Sequence, residues 1–333
     1  MILNPAIIAL LIGSLLTSGY ALYAAAIGYR IIRQWDIRSG HVQQLQLERR
    51  TYLVSTILNY LMGFELLSLF LFVYTADDIH GLFVGAMCAA GSLNVNAYGY
   101  PALVVKVVNF LLCGTWLIMN YTDNRGYDYP LIIPKYRFLL VISAMLLLET
   151  YLLIGYFKNI RPDVITSCCG TLFSTDAQSV AGNLASLPPF VTKVLLYSGV
   201  VLVLRIGIHV VVTGRGTRLF SCLSTGMMVF CIAAVIAVIS VYYYQLPTHH
   251  CPFCLLQREY HYIGYPLYLA LLTAGITGAG VGVIDRFRGI PSLQLVVPRL
   301  QKALSTWSMA GYIIFTAISI YPMIFSDFRL DGY

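Results

Sequence analysis

The sequence predicts an all-α, polytopic membrane helix bundle of about eight transmembrane helices with both termini outside. Three observations carry this. Hydrophobic residues make up 59% of the 333 residues and charged residues only 11%, where a soluble domain carries roughly 25% charged residues, and the mean hydropathy is +0.77. The apolar residues fall in recurrent runs, each near the roughly 20 residues that cross about 30 Å of hydrocarbon as a helix. The loops between the runs alternate between rich and poor in Lys and Arg.

In chain order the spans read 5–29, 52–75, 101–121, 137–157, 190–212, 222–244, 263–284 and 303–325. Continuous runs exclude a barrel, whose strands would show alternating segments of about ten residues. The first run ends in the small-residue stretch Ala21–Ala26 but has no basic residue before Arg30, so it reads as a span rather than a leader peptide. Fourteen of the 21 Lys and Arg residues fall in alternate loops, among them Arg30, Arg33, Arg49 and Arg50 after the first span and Arg286, Arg288, Arg299 and Lys302 after the seventh. Those loops are expected in the cytoplasm. The net charge of +7 follows from this bias and gives no reason to invoke nucleic acid. The expected surroundings are membrane lipid, in a bacterial inner membrane.

The chain reads as a single transmembrane domain, 1–333, with no soluble domain. A weak parallel repeat relates 1–160 to 190–333, joined by an outer loop at 158–189. That loop and the outer loop at 76–100 are the longest stretches outside the spans, so function is sought there. Tyr242, Tyr243, Tyr244, Tyr260, Tyr262, Tyr265 and Tyr268 read as an interfacial aromatic belt.

Cys88, Cys168, Cys169, Cys251 and Cys254 fall in outer loops, where disulfides are permitted. Cys113, Cys222 and Cys231 read as small buried hydrophobes. In Cys251-Pro252-Phe253-Cys254, two intervening residues let the sulfurs meet, and a helix start at the entrance to span seven would lower a thiolate pKa through its free amides. A Cys-x-x-Cys is also half of a common metal site. His249 and His250 precede it directly, so the motif by itself leaves redox and metal chemistry open.

The run from Cys251 through Leu255, Leu256, Gln257 and Arg258 to Tyr262 resembles the active-site segment of the DsbB and BdbC family of disulfide-forming membrane oxidoreductases. That family carries a Cys-x-x-Cys followed by Gln-Arg or Glu-Arg, entering a membrane helix from the outer face. The resemblance implies that Cys251 and Cys254 form a pair oxidised by quinone, with Arg258 and Tyr262 near the quinone head group. It is local. The family has four spans and a second outer pair two spans downstream, whereas only Ser326–Tyr333 follow the last span here.

The partner-facing thiols are therefore expected upstream. Cys168 and Cys169 are the candidates, in a polar loop suited to meeting a soluble periplasmic thiol protein. Five outer cysteines is an odd number, and Cys88 is the one expected to lack a partner. The alternative function is an outer-face metal-handling or transport protein using His80, Met87, Cys88, Cys168, Cys169, His249, His250, Cys251 and Cys254 as ligands for a soft ion. A membrane anchor subunit of an electron-transfer complex is a further alternative. Glu65, Lys106, Glu149 and Arg205 fall within spans, where ionisable groups usually face the bundle interior, and His209 reads as a buried histidine.

Overall fold

The computed structural model describes residues 4–37, 39–162, 164–166 and 180–330. Among them no strand forms, and eight helices are long and apolar enough to cross a membrane. They are α1 (Pro5–Gln34), α2 (Val42–Asp78), α3 (Gly99–Asp123), α4 (Ile132–Lys158), α5 (Pro189–Thr213), α6 (Thr217–Tyr244), α7 (Gly264–Asp285) and α8 (Val296–Phe325). The chain is an all-α multi-pass membrane protein. Each helix contains nearly all of its expected span and runs past one or both ends of it, because helical hydrogen bonding continues where hydropathy has already fallen.

Local chemistry sets the helix ends. Asn4 accepts from the Ala6 N–H at 2.9 Å and Pro5 occupies the first helical position of α1, both favoured at a helix start. At the end of α5 the left-handed conformation is taken by Gly214, φ 68°, which has no Cβ to obstruct it.

The chain divides into two compact units. Unit 1 comprises Met1–Val73, Asn96–Ile160 and Val283–Leu300, and unit 2 comprises Tyr74–Val95, Arg161–Gly282 and Gln301–Tyr333. In unit 1, α1 packs along α4, where Ser14 and Thr150 share a hydrogen bond of 2.7 Å. An apolar core of Leu58, Met62, Cys113, Trp116, Leu139 and Ile142, with neighbours from α1, fills the space between the helices.

In unit 2 small residues bring α6, α7 and α8 together. Ser308 donates to Ala274 O at 2.9 Å and lies 3.2 Å from Ser224, and a Cβ at Gly311 would come within 2.6 Å of Ala270 O. Close backbone approach of this kind is how membrane helices gain packing without a hydrophobic drive between them. Gly311→Val is therefore expected to destabilise the protein by about 1–3 kcal/mol. Gly19→Val, where an added Cβ meets nothing within 4 Å, should leave the melting temperature unchanged; equal melting of the two variants in detergent would contradict this packing.

One turn of α6, Val235–Ile239, is a π-helix. Within this turn Ile236 O accepts from Ser240 Oγ at 3.3 Å and meets the ring nitrogen Nδ1 of His250 at 3.1 Å. This anchors the chain that follows α6. Gln245, at φ 53°, then ends the helix and turns toward the cysteine motif.

Candidate functional site

The cysteine motif does not open a long helix. Between Cys254 and the start of α7 at Gly264 lie two 3-10 turns, Cys254–Leu256 and Arg258–Tyr260, and then His261 and Tyr262, both left-handed at φ 54° and 56°. The expected helix-start amides are thus replaced by turn amides. The N–H groups of Phe253 and Cys254 reach the Cys251 sulfur.

Tyrosines hold this segment through its carbonyls. Tyr244 donates to Cys251 O at 2.6 Å and Tyr268 donates to Pro252 O at 2.8 Å. The Tyr244 ring also stands edge-on to His249 and Tyr260, with centroids 4.4 Å and 4.7 Å away. Two members of the expected aromatic belt are therefore part of the site's wall.

Cys88 joins the motif. It sits before the short helix Ala89–Leu93, and its Sγ is 3.5 Å from Cys251 Sγ. The sulfurs of Cys88, Cys251 and Cys254 all lie within 4.8 Å of one another, and the three residues are 0%, 0% and 4% exposed. Cys88, expected to be the outer thiol without a disulfide partner, is a free thiol set against the motif. What the sequence could not show is that the 76–100 loop folds onto the 245–263 segment.

Two polar groups make that fold. Asp77 Oδ1 accepts from the Ala89 N–H at 3.0 Å and from Gln257 Nε2 at 3.2 Å, and Gln257 Nε2 also donates to Met87 O at 2.7 Å. Gln257 thus holds the residue before Cys88 directly, and Asp77, which Gln257 also bonds, holds the residue after it. From the other direction Thr166 donates through its N–H to Val84 O at 3.0 Å and through Oγ1 to Gly91 O at 3.1 Å. Gly85, at φ 85°, lies directly under Thr166 O, where a Cβ would collide. Asp77 and Gln257 were not among the sites expected from the sequence; the adjacent Arg258 drew attention instead.

The thiols are electrostatically unequal. Hydrogen bonds from Cys254, from Cys88 and from the turn amides, acting against burial, lower the Cys251 thiol to about 5. Cys254, which gives its proton toward Cys251 in this arrangement, is raised. The cluster holds one thiolate and keeps the other proton beside it. His249 Nε2 lies 3.4 Å from Cys254 Sγ.

The other expected residues are dispersed. Arg258 and Tyr262 are exposed on the turns before α7. His250 is buried but turned to Ile236 O, and His80 Nδ1 meets Asp77 O. Met87 is exposed. Cys168 and Cys169 lie outside the described residues. Cys222, expected to be buried, is exposed on α6, whereas Cys113 and Cys231 are buried. Arg205 and His209, expected to face inward, are both on the exposed side of α5. Glu65, Lys106 and Glu149 are buried together in unit 1.

No protein-family model, curated protein or solved structure matches the chain.

Proposed function

We propose that this protein is a thiol–disulfide oxidoreductase of the bacterial inner membrane, passing electrons between a soluble periplasmic thiol protein on the outer face and a membrane quinone. The observation that carries the reading is the third sulfur. A Cys-x-x-Cys that packs a lone cysteine against its first sulfur has, within one buried cluster, both a pair to oxidise and a thiol to hand the disulfide onward. The lowered Cys251 thiol supplies the thiolate that such exchange requires.

In the step with quinone, the dithiol gives up two electrons and Cys251 and Cys254 close a disulfide. The quinone takes the two electrons with two protons, one from Cys254 and one from water, and becomes the quinol. Cys88 then attacks Cys251, releasing Cys254 and forming a Cys88–Cys251 disulfide. Forming that bond closes the 3.5 Å between the two sulfurs to the roughly 2.04 Å of an S–S bond. Two thiols, those of Cys168 and Cys169 or two of the partner, reduce that disulfide by two successive exchanges and are left as a disulfide themselves. Arg258 and Tyr262 are the residues proposed to meet the quinone head group, the guanidinium offering planar hydrogen bonds to a reduced ring oxygen.

Arg258→Ala is expected to raise the quinone concentration for half-maximal rate about tenfold or more, as for loss of a hydrogen bond to a charged group, with little restoration in Arg258→Lys. Steady-state quinone reduction by the reduced protein measures it. An unchanged concentration dependence removes Arg258 from the site.

A second reading has its own observation: His249 beside Cys254. Three thiolates and an imidazole are a donor set for zinc or a monovalent soft ion. Around such an ion with Zn–S near 2.3 Å the sulfurs stand about 3.8 Å apart, within the spread seen here. Elemental analysis of purified protein with a thiol count in denaturant separates the readings. About one metal per chain that is lost in Cys88→Ser, with no oxidation by quinone, favours the metal centre; a metal-free protein that loses two thiols per quinol formed favours the oxidoreductase.

A further inference from the structure

Three ionisable side chains meet inside unit 1, well away from the ends of their helices. Lys106 Nζ of α3 donates to Glu149 Oε1 of α4 at 2.6 Å, to Ser68 Oγ at 2.8 Å and to Glu65 Oε1 of α2 at 3.4 Å, and the three charged side chains are at most 2% exposed. Asn109 Nδ2 donates to Glu149 Oε2 at 2.7 Å. With every group ionised, two carboxylates against one ammonium leave a net negative charge in the membrane interior, which is strongly disfavoured. One bound proton makes the cluster neutral.

Two independent observations point to that proton. Glu65 Oε1 and Glu149 Oε1 lie 3.4 Å and 2.6 Å from the same Lys106 Nζ, and two carboxyl groups crowded at one buried site disfavour both being ionised. Asn109 Oδ1 is fully buried and has no hydrogen-bond partner among the described residues. It is an acceptor waiting beside the pair for a protonated carboxyl or a water.

The same face of α3 continues away from the cluster through Cys113, Trp116, Asn120 and Asp123, at spacings of three and four residues. At its far end Lys135 Nζ donates to Asp123 Oδ2 at 2.6 Å and to Asn120 Oδ1 at 3.0 Å. A cleft of about 200 Å³, lined by Ser55, Asn59, Asn120 and Lys135 among others, opens onto this second group. Along the face, Trp116 Nε1 and Tyr136 OH are buried without a partner among the described residues, the situation in which internal water completes the hydrogen bonding.

We propose that unit 1 is a proton route. The Glu65–Glu149 pair loads one proton from the Gly99 end of α3 and releases it along this face, through water held at Trp116 and Tyr136, to the cleft beside Asp123 and Lys135. The proton leaves a carboxylic acid, which becomes a carboxylate until the next proton restores it. No electron moves, and Lys106 remains an ammonium throughout. The apolar residues around Trp116, Leu58 and Met62 from α2 and Ile142 from α4, keep the passage dry at rest and therefore slow. This inference goes beyond the thiol chemistry and does not rest on it.

The test is the full-length protein in liposomes holding an internal pH dye, with a potassium diffusion potential negative inside. The lumen is expected to acidify faster than in protein-free liposomes. Glu149→Gln should cut the added rate by about tenfold or more, and Glu149→Asp, which keeps the carboxyl, should retain most of it. Infrared spectra of the detergent-solubilised protein should show the carbonyl stretch of a buried protonated carboxylic acid, absent in Glu149→Gln. No acidification above protein-free liposomes, or an undiminished rate in a folded Glu149→Gln protein, overturns the proposal. Should that variant fail to fold, the wild-type protein decides: absence of the infrared band overturns the proposal, and its presence together with acidification above protein-free liposomes upholds it.

Discussion

Cys251→Ser is expected to abolish the thiolate of the cysteine cluster at neutral pH and, with it, oxidation by quinone, reducing the latter to the uncatalysed level. The reason is that the lowered thiol of Cys251 is where the hydrogen bonds of Cys254, Cys88 and the turn amides converge. Serine keeps the shape and does not ionise at neutral pH, so the lowered thiol is lost. In the reduced wild type, a thiolate titrating through about 5 stays ionised from neutral pH down to that point and is protonated below it. Thiolate ultraviolet absorbance should therefore fall on acidification with a midpoint near that value, not between 8 and 9 as for a free cysteine at roughly 8.5. Cys254→Ala keeps Cys88 and the amides but loses the first of the hydrogen bonds, so its midpoint should move upward. A wild-type midpoint in the ordinary cysteine range would contradict the arrangement.

Asp77→Ala is expected to separate Cys88 from the motif without disturbing Cys251 and Cys254 themselves. Its carboxylate receives the Ala89 N–H and the Gln257 amide at 3.0 Å and 3.2 Å, two charge-assisted bonds whose loss should cost about 2–4 kcal/mol locally. Under mild oxidation the Cys251–Cys254 disulfide should still form, while the yield of Cys88–Cys251 disulfide falls by about tenfold or more, since each 1.4 kcal/mol is a factor of ten. Gln257→Leu should reproduce the effect in part because it also frees Met87 O. Peptide mapping of disulfides distinguishes the two bonds. Equal yields in wild type and Asp77→Ala would show that the loop carrying Cys88 is held by something else.

The helices were legible because each is a run of one kind of residue with polar breaks, and hydropathy needs no tertiary information. The Cys251–Cys254 pair was legible for a similar reason, since both ends of the motif are local. Cys88 was not: it joins the motif from 163 residues away, and neither Asp77 nor Gln257 carries a pattern that announces a clasp. The parity of the outer cysteines pointed to Cys88 as the odd one, and what parity could not supply is its place against the pair. Tyr244 and Tyr268 were read as belt residues because a tyrosine at a helix end is apolar and polar at once; only the position of the Cys251 and Pro252 carbonyls shows what their hydroxyls hold. In α5 the inward assignment of Arg205 failed because the rule concerns depth in the membrane, while the sequence supplies only position along a helix, and a long arginine can bury its stem and reach outward. Glu65, Lys106 and Glu149 obeyed the same rule because each finds its counter-charge on another helix.

The central claim is that Cys88, Cys251 and Cys254 form one redox centre. The most direct measurement is to reduce the purified protein, add quinone without air, and determine together the quinol formed and the cysteines that have become disulfides. The account predicts two thiols lost for each quinol, with disulfides mapping to Cys251–Cys254 and Cys88–Cys251 when Cys168 and Cys169 are replaced by Ser. Quinone left unreduced while all three cysteines remain thiols, or quinol formed equally well by the protein lacking all three, would contradict it.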